Sequence, residues 1–472
     1  MNKERLKSIT LVSLIILNFV LGSFIMTDKK LWPSGYNFFI SLENSLPVQL
    51  LTSLKNRFAG PPAAITHLAV PETVIINTGY QTSRFSVSAD EPLFMEITEA
   101  CNKILSGAFS DSGNIAKVSR NEWYSALMSK SIYLQYPADC ESALFAQFLG
   151  VKKTEITSSV RTFSRLVVST EERAAVYAED SQSGAYYRIP TKYAPTSLLK
   201  LISSHQAGSL ASSTSSSILN YSFDLKFDQP TSGQKAIIEP MIPIYSNSRT
   251  AATLSAENPL KTSAGALDES AIEHILEVFG MNPGTVRHYA ETSGTIVFVE
   301  NNAVLKLHTN GLLDYRAKGE GIRLSKDASA YSVYSKIADM ADSVTAAVSS
   351  ERNLYVSSPL YGNNNIVTFD YLASGLPVIL RTAGMDHAVE AQTENGYLLS
   401  YRQLLRRYRP TGQTVQTPAY ISALDSAIDT YSASMNEIVI EKMYLCYTDD
   451  GTNTVKNADW TVAVKSLIIG EE

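Results

Sequence analysis

Asn310-Gly311-Leu312-Leu313-Asp314-Tyr315-Arg316 recurs in approximate form as Asn395-Gly396-Tyr397-Leu398-Leu399-Ser400-Tyr401-Arg402. In each copy Asn-Gly supplies the positive φ angles that a tight hairpin turn needs, and an amphipathic strand follows. A helix precedes each copy. The first has Asp268 as N-cap, Ile272, Ile275, Leu276 and Phe279 on one face, and Gly280 just past its end. The second is longer and carries Val333, Ile337, Met340, Val344 and Val348 on one face. A third helix, with Ile421, Leu424 and Ile428, leads into strands over 438–447 and 460–468. The expected fold class is α+β with antiparallel sheets, its C-terminal part built from two related α+β units in tandem. Coincidence of two Asn-Gly hairpins is the competing explanation.

Working back toward the N-terminus, residues 31–202 read as a first α+β domain. Alternation over 65–78 predicts a strand, and helical spacing over 93–105 predicts an amphipathic helix. Asp139 is placed to cap a short helix bearing Leu144, Phe145, Phe148 and Leu149, closed by Gly150. Residues 166–168, 174–178 and 184–189 look like successive strands of a meander. Ser203 to Ser217 lacks a periodic apolar face and has the composition of a linker or long loop. A middle α+β domain (218–322) and a C-terminal one (323–472) complete the expected organisation, the middle one opening with an extended part that contains Pro240 and Pro243.

The start of the chain is of another kind. After the basic residues 1–8, with Lys3, Arg5 and Lys7, an unbroken apolar run extends over 9–26. Eighteen helical residues rise about 27 Å, close to a hydrocarbon core of about 30 Å. Trp32, Tyr36, Phe38 and Phe39 then fall where an aromatic belt would sit. The charge balance across the span favours a cytoplasmic N-terminus and an extracellular bulk. Val20-Leu21-Gly22 is a tolerable signal-peptide cleavage site, but the apolar run continues through Phe24-Ile25-Met26 and argues for a retained anchor. Asn18 lies in mid-membrane with Gly22 one turn on and Leu14, Leu21 and Ile25 on the same side. A buried amide seeks a partner and glycine lets a second backbone approach, so this face is the expected contact with another transmembrane helix. A passive anchor that tolerates one Asn is the alternative.

Composition narrows the remaining choices. A chain of 472 residues, 44% hydrophobic and 18% charged, is too long for one compact core and is not a disordered composition. Its net charge of −6 leaves no electrostatic footprint for nucleic acid. Cys101, Cys140 and Cys446 are odd in number and widely spaced, which does not suggest a disulfide framework. Cys101 falls on the apolar stripe of its helix as a buried thiol, with a Cys101–Cys140 bridge as the alternative.

The six histidines are scattered without ligand spacing, and His308 and His387 are expected on exposed hairpin strands. Ser197-Leu198-Leu199-Lys200 matches S-x-x-K, but no S-D-N occurs and Lys261-Thr262-Ser263 is not K-T-G. No catalytic residue, cofactor or metal is expected.

The opening and the C-terminal third resemble the YycH family of Firmicutes, regulators of the WalK (YycG) sensor histidine kinase. The resemblance rests on the short basic start running into one span, and on Lys30-Leu31-Trp32-Pro33-Ser34-Gly35-Tyr36-Asn37-Phe38-Phe39. It rests further on the block from Val297-Phe298-Val299-Glu300 to Asp314-Tyr315, and on Phe369-Asp370-Tyr371-Leu372-Ala373-Ser374-Gly375-Leu376-Pro377-Val378 with Asn395-Gly396 following. About half the chain is covered, and none of these motifs is catalytic. The resemblance implies three extracytoplasmic domains, a C-terminal part related to YycI, and no enzymatic activity. It also implies action on the kinase through transmembrane helices together with a YycI-like protein. An envelope enzyme acting on peptidoglycan and an anchored ligand-binding module are the competing readings.

Overall fold

A computed structural model describes residues 69–466, apart from 80–83, 111–114, 171–173, 212–218, 222–234, 246–248, 261–267, 349–353, 433–436 and some shorter stretches. The span at 9–26 and the aromatic stretch at 31–39 lie outside the described residues. Among those described, no helix is long and apolar enough to cross a membrane.

The N-terminal part is a seven-stranded antiparallel sheet. Its strands are β1 (Thr73–Thr78), β2 (Arg84–Val87), β3 (Ala116–Val118), β4 (Lys130–Glu141), β5 (Thr162–Ser169), β6 (Ala175–Glu179) and β7 (Tyr186–Pro190). They lie in the order β2-β1-β4-β5-β6-β7-β3, so β5, β6 and β7 form the expected meander. Helix α1 (Pro92–Ser110) buries Phe94, Ile97, Cys101 and Ile104 against one face. Helix α2 (Arg120–Met128), capped by Ser119, contributes Trp123 and Leu127 to the core on the other face. Helix α3 (Ser142–Phe148) begins three residues after the expected cap: Asp139 lies within β4, and Glu141 takes the N-cap position without a side-chain bond. Phe145 stands edge-on to Tyr136 and Phe163, with ring centroids 5.2 and 5.0 Å apart, an arrangement worth about 0.5–1.5 kcal/mol per pair beyond burial.

Helix α4 (Thr196–Ala211) takes in residues 203–211 of the serine-rich stretch that composition marks as a linker. Leu198 and Ile202 bury one side of its first turns, and it packs on α1 and β1. Tertiary contact overrides a merely indifferent helix propensity.

The rest of the described chain is dominated by one larger sheet. The elements of this part, of which β8 and β10 pair with each other apart from the larger sheet, begin with β8 (Leu219–Tyr221), β9 (Lys235–Ile238), β10 (Pro243–Tyr245), β11 (Thr250–Glu257), α5 (Glu269–Val278), β12 (Arg287–Ala290), β13 (Ile296–Glu300), β14 (Ala303–Leu307), β15 (Leu312–Ala317) and β16 (Ile322–Arg323). They continue with α6 (Ala330–Val348), β17 (Leu354–Val356), β18 (Ile366–Ala373), β19 (Leu376–Leu380), β20 (Val389–Glu394), β21 (Tyr397–Leu404), β22 (Arg407–Gln416), α7 (Tyr420–Ser432), β23 (Glu437–Asp449), β24 (Val455–Lys456) and β25 (Ala458–Ser466). The main path runs β12-β13-β14-β15-β21-β20-β18-β19-β23-β25 and is antiparallel except where β23 meets β19 and β9.

The tandem units expected on either side of residue 322 are therefore not separate. Strands β15 and β21, one from each hairpin block, pair with each other from Leu312↔Leu404 to Arg316↔Ser400. Their inner faces share helices α5 and α6, and Phe279 stacks on Tyr315 at 4.9 Å while standing edge-on to Tyr401 at 5.3 Å. Two amphipathic hairpins that would each leave an edge and a face in water bury both by joining.

The hairpins also differ. Asn395 (φ 50°) and Gly396 (φ 80°) make the two-residue turn with both angles positive. In the other, Gly311 (φ 95°) takes the left-handed conformation, Asn310 does not, and the loop is one residue longer.

Candidate interaction surface

The larger sheet has one face on α5 and α6 and another that is only half covered. Alternation sends Leu305, Leu307, Leu313, Tyr315 and Tyr401 inward. It turns Val304, Lys306, Asp314, Arg316, Ser400 and Arg402 outward. The small sheet β22-β11-β24 roofs one end of this outer face, where Leu254 and Ala256 pack among Tyr371, Ala388, Leu404 and Tyr447. Beyond that roof no described element covers the outer face.

Register across the open part lines up Lys306, Asp314, Arg402 and Glu390, so positive and negative charges alternate from strand to strand. Lys306 Nζ donates to Glu291 Oε1 at 2.9 Å, Arg402 Nη1 to Glu390 Oε2 at 3.1 Å, and Arg316 forms a fork on Asp314 at 3.2 Å. Of these, Arg402 and Glu390 are directly opposed on neighbouring strands, an arrangement that contributes about 0.2–1 kcal/mol. Arg402 Nε is buried without a hydrogen-bond partner. A hollow of about 290 Å³ on this face is lined by Val304, Lys306, His308, Asp314 and Arg316. Burial holds the His308 imidazole below its ordinary pKa, and its Nδ1 lies 3.2 Å from Thr295 Oγ1. Because its cations are paired with carboxylates, this face carries no surplus positive charge for capture of a lone anion.

His387 is not on a strand. It lies in the loop before β20, half-buried, with Nδ1 3.0 Å from Asp370 Oδ2. That hydrogen bond raises the imidazole pKa against the opposing effect of burial. Ser357 Oγ approaches the same Nδ1 at 3.4 Å. A Ser-His-Asp relay needs the hydroxyl and the carboxylate on opposite ring nitrogens, so the group anchors a loop and does not activate a nucleophile. Ser197 and Lys200 are both exposed near the start of α4. All three cysteines are buried and free, and burial drives the Cys101 and Cys140 thiols far above their ordinary pKa. Among the described residues no cluster of His, Cys, Asp and Glu could hold a metal ion.

Two ionic constellations were not legible in the sequence. Arg406, almost fully buried, donates Nε to Asp449 Oδ2 at 2.8 Å and Nη1 to Asn453 Oδ1 at 3.0 Å, and Tyr408 Oη also donates to Asp449. Burial alone would raise the Asp449 pKa, but Arg406, Tyr408 and the Gly451 N–H hold it below the usual range. The second is the seam between the two large sheets. There Lys442 of β23 reaches Glu72 at 2.9 Å, and the loop around Leu360 docks on the end of β4. Partners 370 residues apart leave no local pattern to read. The expected transmembrane face (Leu14, Asn18, Leu21, Gly22, Ile25) and interface anchors (Trp32, Tyr36, Phe38, Phe39) lie outside the described residues, so the geometry does not bear on them.

No protein-family model and no curated protein sequence matches the chain. Among solved structures, its fold is similar to the crystal structure of YycH from Bacillus subtilis, with a TM-score of 0.56 at 11% identity. The similarity covers 85% of this chain and 95% of that one. At that identity the likeness is one of fold.

Proposed function

We propose that this chain is a membrane-anchored regulator of a sensor histidine kinase of the WalK type, working with a YycI-like partner and without enzymatic activity of its own. The observation that carries the reading is the shared fold with YycH over nearly the whole of that protein, on a chain whose opening residues independently read as a transmembrane anchor. In this reading the N-terminus is cytoplasmic and the body, with its half-open charged sheet face, lies outside the cell. The 9–26 helix packs on kinase helices through Leu14, Asn18, Leu21, Gly22 and Ile25, each polar or close-packed contact contributing about 0.6–2 kcal/mol. Trp32, Tyr36, Phe38 and Phe39 set its depth. Regulation then consists of biasing a two-state arrangement of the kinase helices, which requires different contacts in the two states.

Photo-crosslinkers at positions 14, 18 and 22 of the full-length chain, in cells, test this directly. Capture of a histidine kinase from position 18, abolished by competition from an untagged wild-type chain, is the expected result. Capture of lipid alone by a well-expressed protein would remove the transmembrane contact from the proposal.

A further inference from the structure

Lys442 stands where two irregular strands meet. The pairing of β23 with β25 shifts register between Ile440 and Lys442, and that of β4 with β5 shifts between Gln135 and Cys140. A bulge re-aims side chains and takes backbone groups out of the ladder. Here the two bulges are joined by one side chain. Lys442 Nζ donates to Pro137 O at 2.7 Å, to Tyr136 O at 3.5 Å and to Glu72 Oε2 at 2.9 Å. Glu72 immediately precedes β1, and its own N–H donates to Gln135 O at 2.7 Å. This ammonium group thus ties the start of β1 and the β4 bulge to the C-terminal sheet.

The far side of the same β4 bulge is also held by the C-terminal part. Leu360 N–H donates to Asp139 O and Glu141 N–H to Leu360 O, each at 2.8 Å, in a parallel bridge centred on Cys140. Gly362 N–H donates to Glu141 Oε2 at 2.7 Å, and Tyr334 of α6 donates to Pro359 O at 2.9 Å. A short path of charge-assisted and backbone bonds therefore runs from Glu72 through the bulge to the 358–362 loop and α6.

We infer that Lys442 is a latch: closed, it ties the N-terminal approach of the chain to the C-terminal sheet, and displacement of the Glu72 segment releases the β4 bulge and the 358–362 loop together. The inference rests on the reading of the chain as an anchored regulator, and it supplies the two-state element by which the anchor's position is felt in the outer body. Release leaves Glu72 and two carbonyls without their cation, so the closed and open states differ by discrete bonds and not by a graded deformation.

Hydrogen exchange on the detergent-solubilised full-length chain tests the latch without reference to a kinase. In Lys442→Met, amides of 136–141 and 358–362 should exchange about tenfold faster or more, the scale set by losing bonds to a charged group, while β6 (Ala175–Glu179), which pairs with β5 and β7 and not with the bulge, keeps its wild-type rate. Unchanged exchange in the two segments, or an equal rise everywhere, would overturn the latch. If Lys442→Met does not fold, Glu72→Gln serves instead: a smaller rise confined to the same two segments supports the proposal, and no rise refutes it. Position-18 crosslinking run in parallel separates the two ideas, because a chain that captures no kinase yet shows the local exchange pattern loses the regulator reading and keeps the latch.

Discussion

His387 illustrates how much a single side chain depends on a neighbour far along the chain. Its ring is held by Asp370 on β18, whose Oδ1 also accepts the Ala388 N–H at 3.1 Å, so one carboxylate secures the whole loop leading into β20. Glu390 and Asp386 add negative charge nearby. The folded-state pKa lies above the ordinary value of about 6.5. The pairing therefore stabilises the fold fully below that ordinary value, and the contribution is lost as pH rises through the raised folded value. Titration by NMR should find His387 above His308, which burial shifts the other way, and Asp370→Asn should bring His387 down toward or below 6.5. A His387 pKa indifferent to Asp370→Asn would show that the contact is not made in solution. The sequence places both residues but offers no reason to join them: a strand position and a loop position 17 residues apart become neighbours only through the hairpin between them.

The two Asn-Gly hairpins make the corresponding point for elements. Their existence was readable from turn chemistry, as were α1, α5 and α6 from apolar spacing and the β5-β6-β7 meander from alternation, because these signals are local. Their difference was not readable. At Gly311 a Cβ would fall 2.7 Å from Leu405 O and 2.9 Å from Asn258 Oδ1, a close approach created by β11 and β21 and not by the hairpin. Gly311→Ala should accordingly cost about 1–3 kcal/mol for the positive φ, with steric displacement added. Asn395→Gly, at a turn that already tolerates φ 50°, should change stability by only a few tenths of a kcal/mol, as helix and turn Asn/Gly exchanges do. Urea denaturation of both variants checks the contrast, and equal costs would contradict it. Helix α4 is the converse case. Serine is indifferent to helix formation, so packing of Leu198 and Ile202 decided what composition left open.

Over the whole described body, the cores do not respect the boundaries suggested by composition. One cluster joins Ile97 and Phe145, on helices of the N-terminal part, to Tyr334, Ile337 and Tyr401, and another joins Trp123 and Tyr133 to Tyr420, Leu424 and Met443. Shared cores predict shared unfolding. With Trp32→Phe in each background, the single-tryptophan variants that keep Trp123 or Trp460 should report coincident denaturant transitions, since one probe sits in the N-terminal part and the other packs on the same cluster from β25. Separated midpoints would restore independent domains. What could be read from the chain alone was therefore whatever is encoded within a few residues: the apolar span at 9–26, the amphipathic helices, the turns, the α+β class and the resemblance to YycH. The joining of the two hairpins into one sheet, the half-roofed charged face, the Asp370–His387 and Arg406–Asp449 pairs and the Lys442 seam were settled by tertiary packing. Their partners lie far apart in sequence, and strand register and buried charge acquire partners only once distant segments are brought together to exclude water.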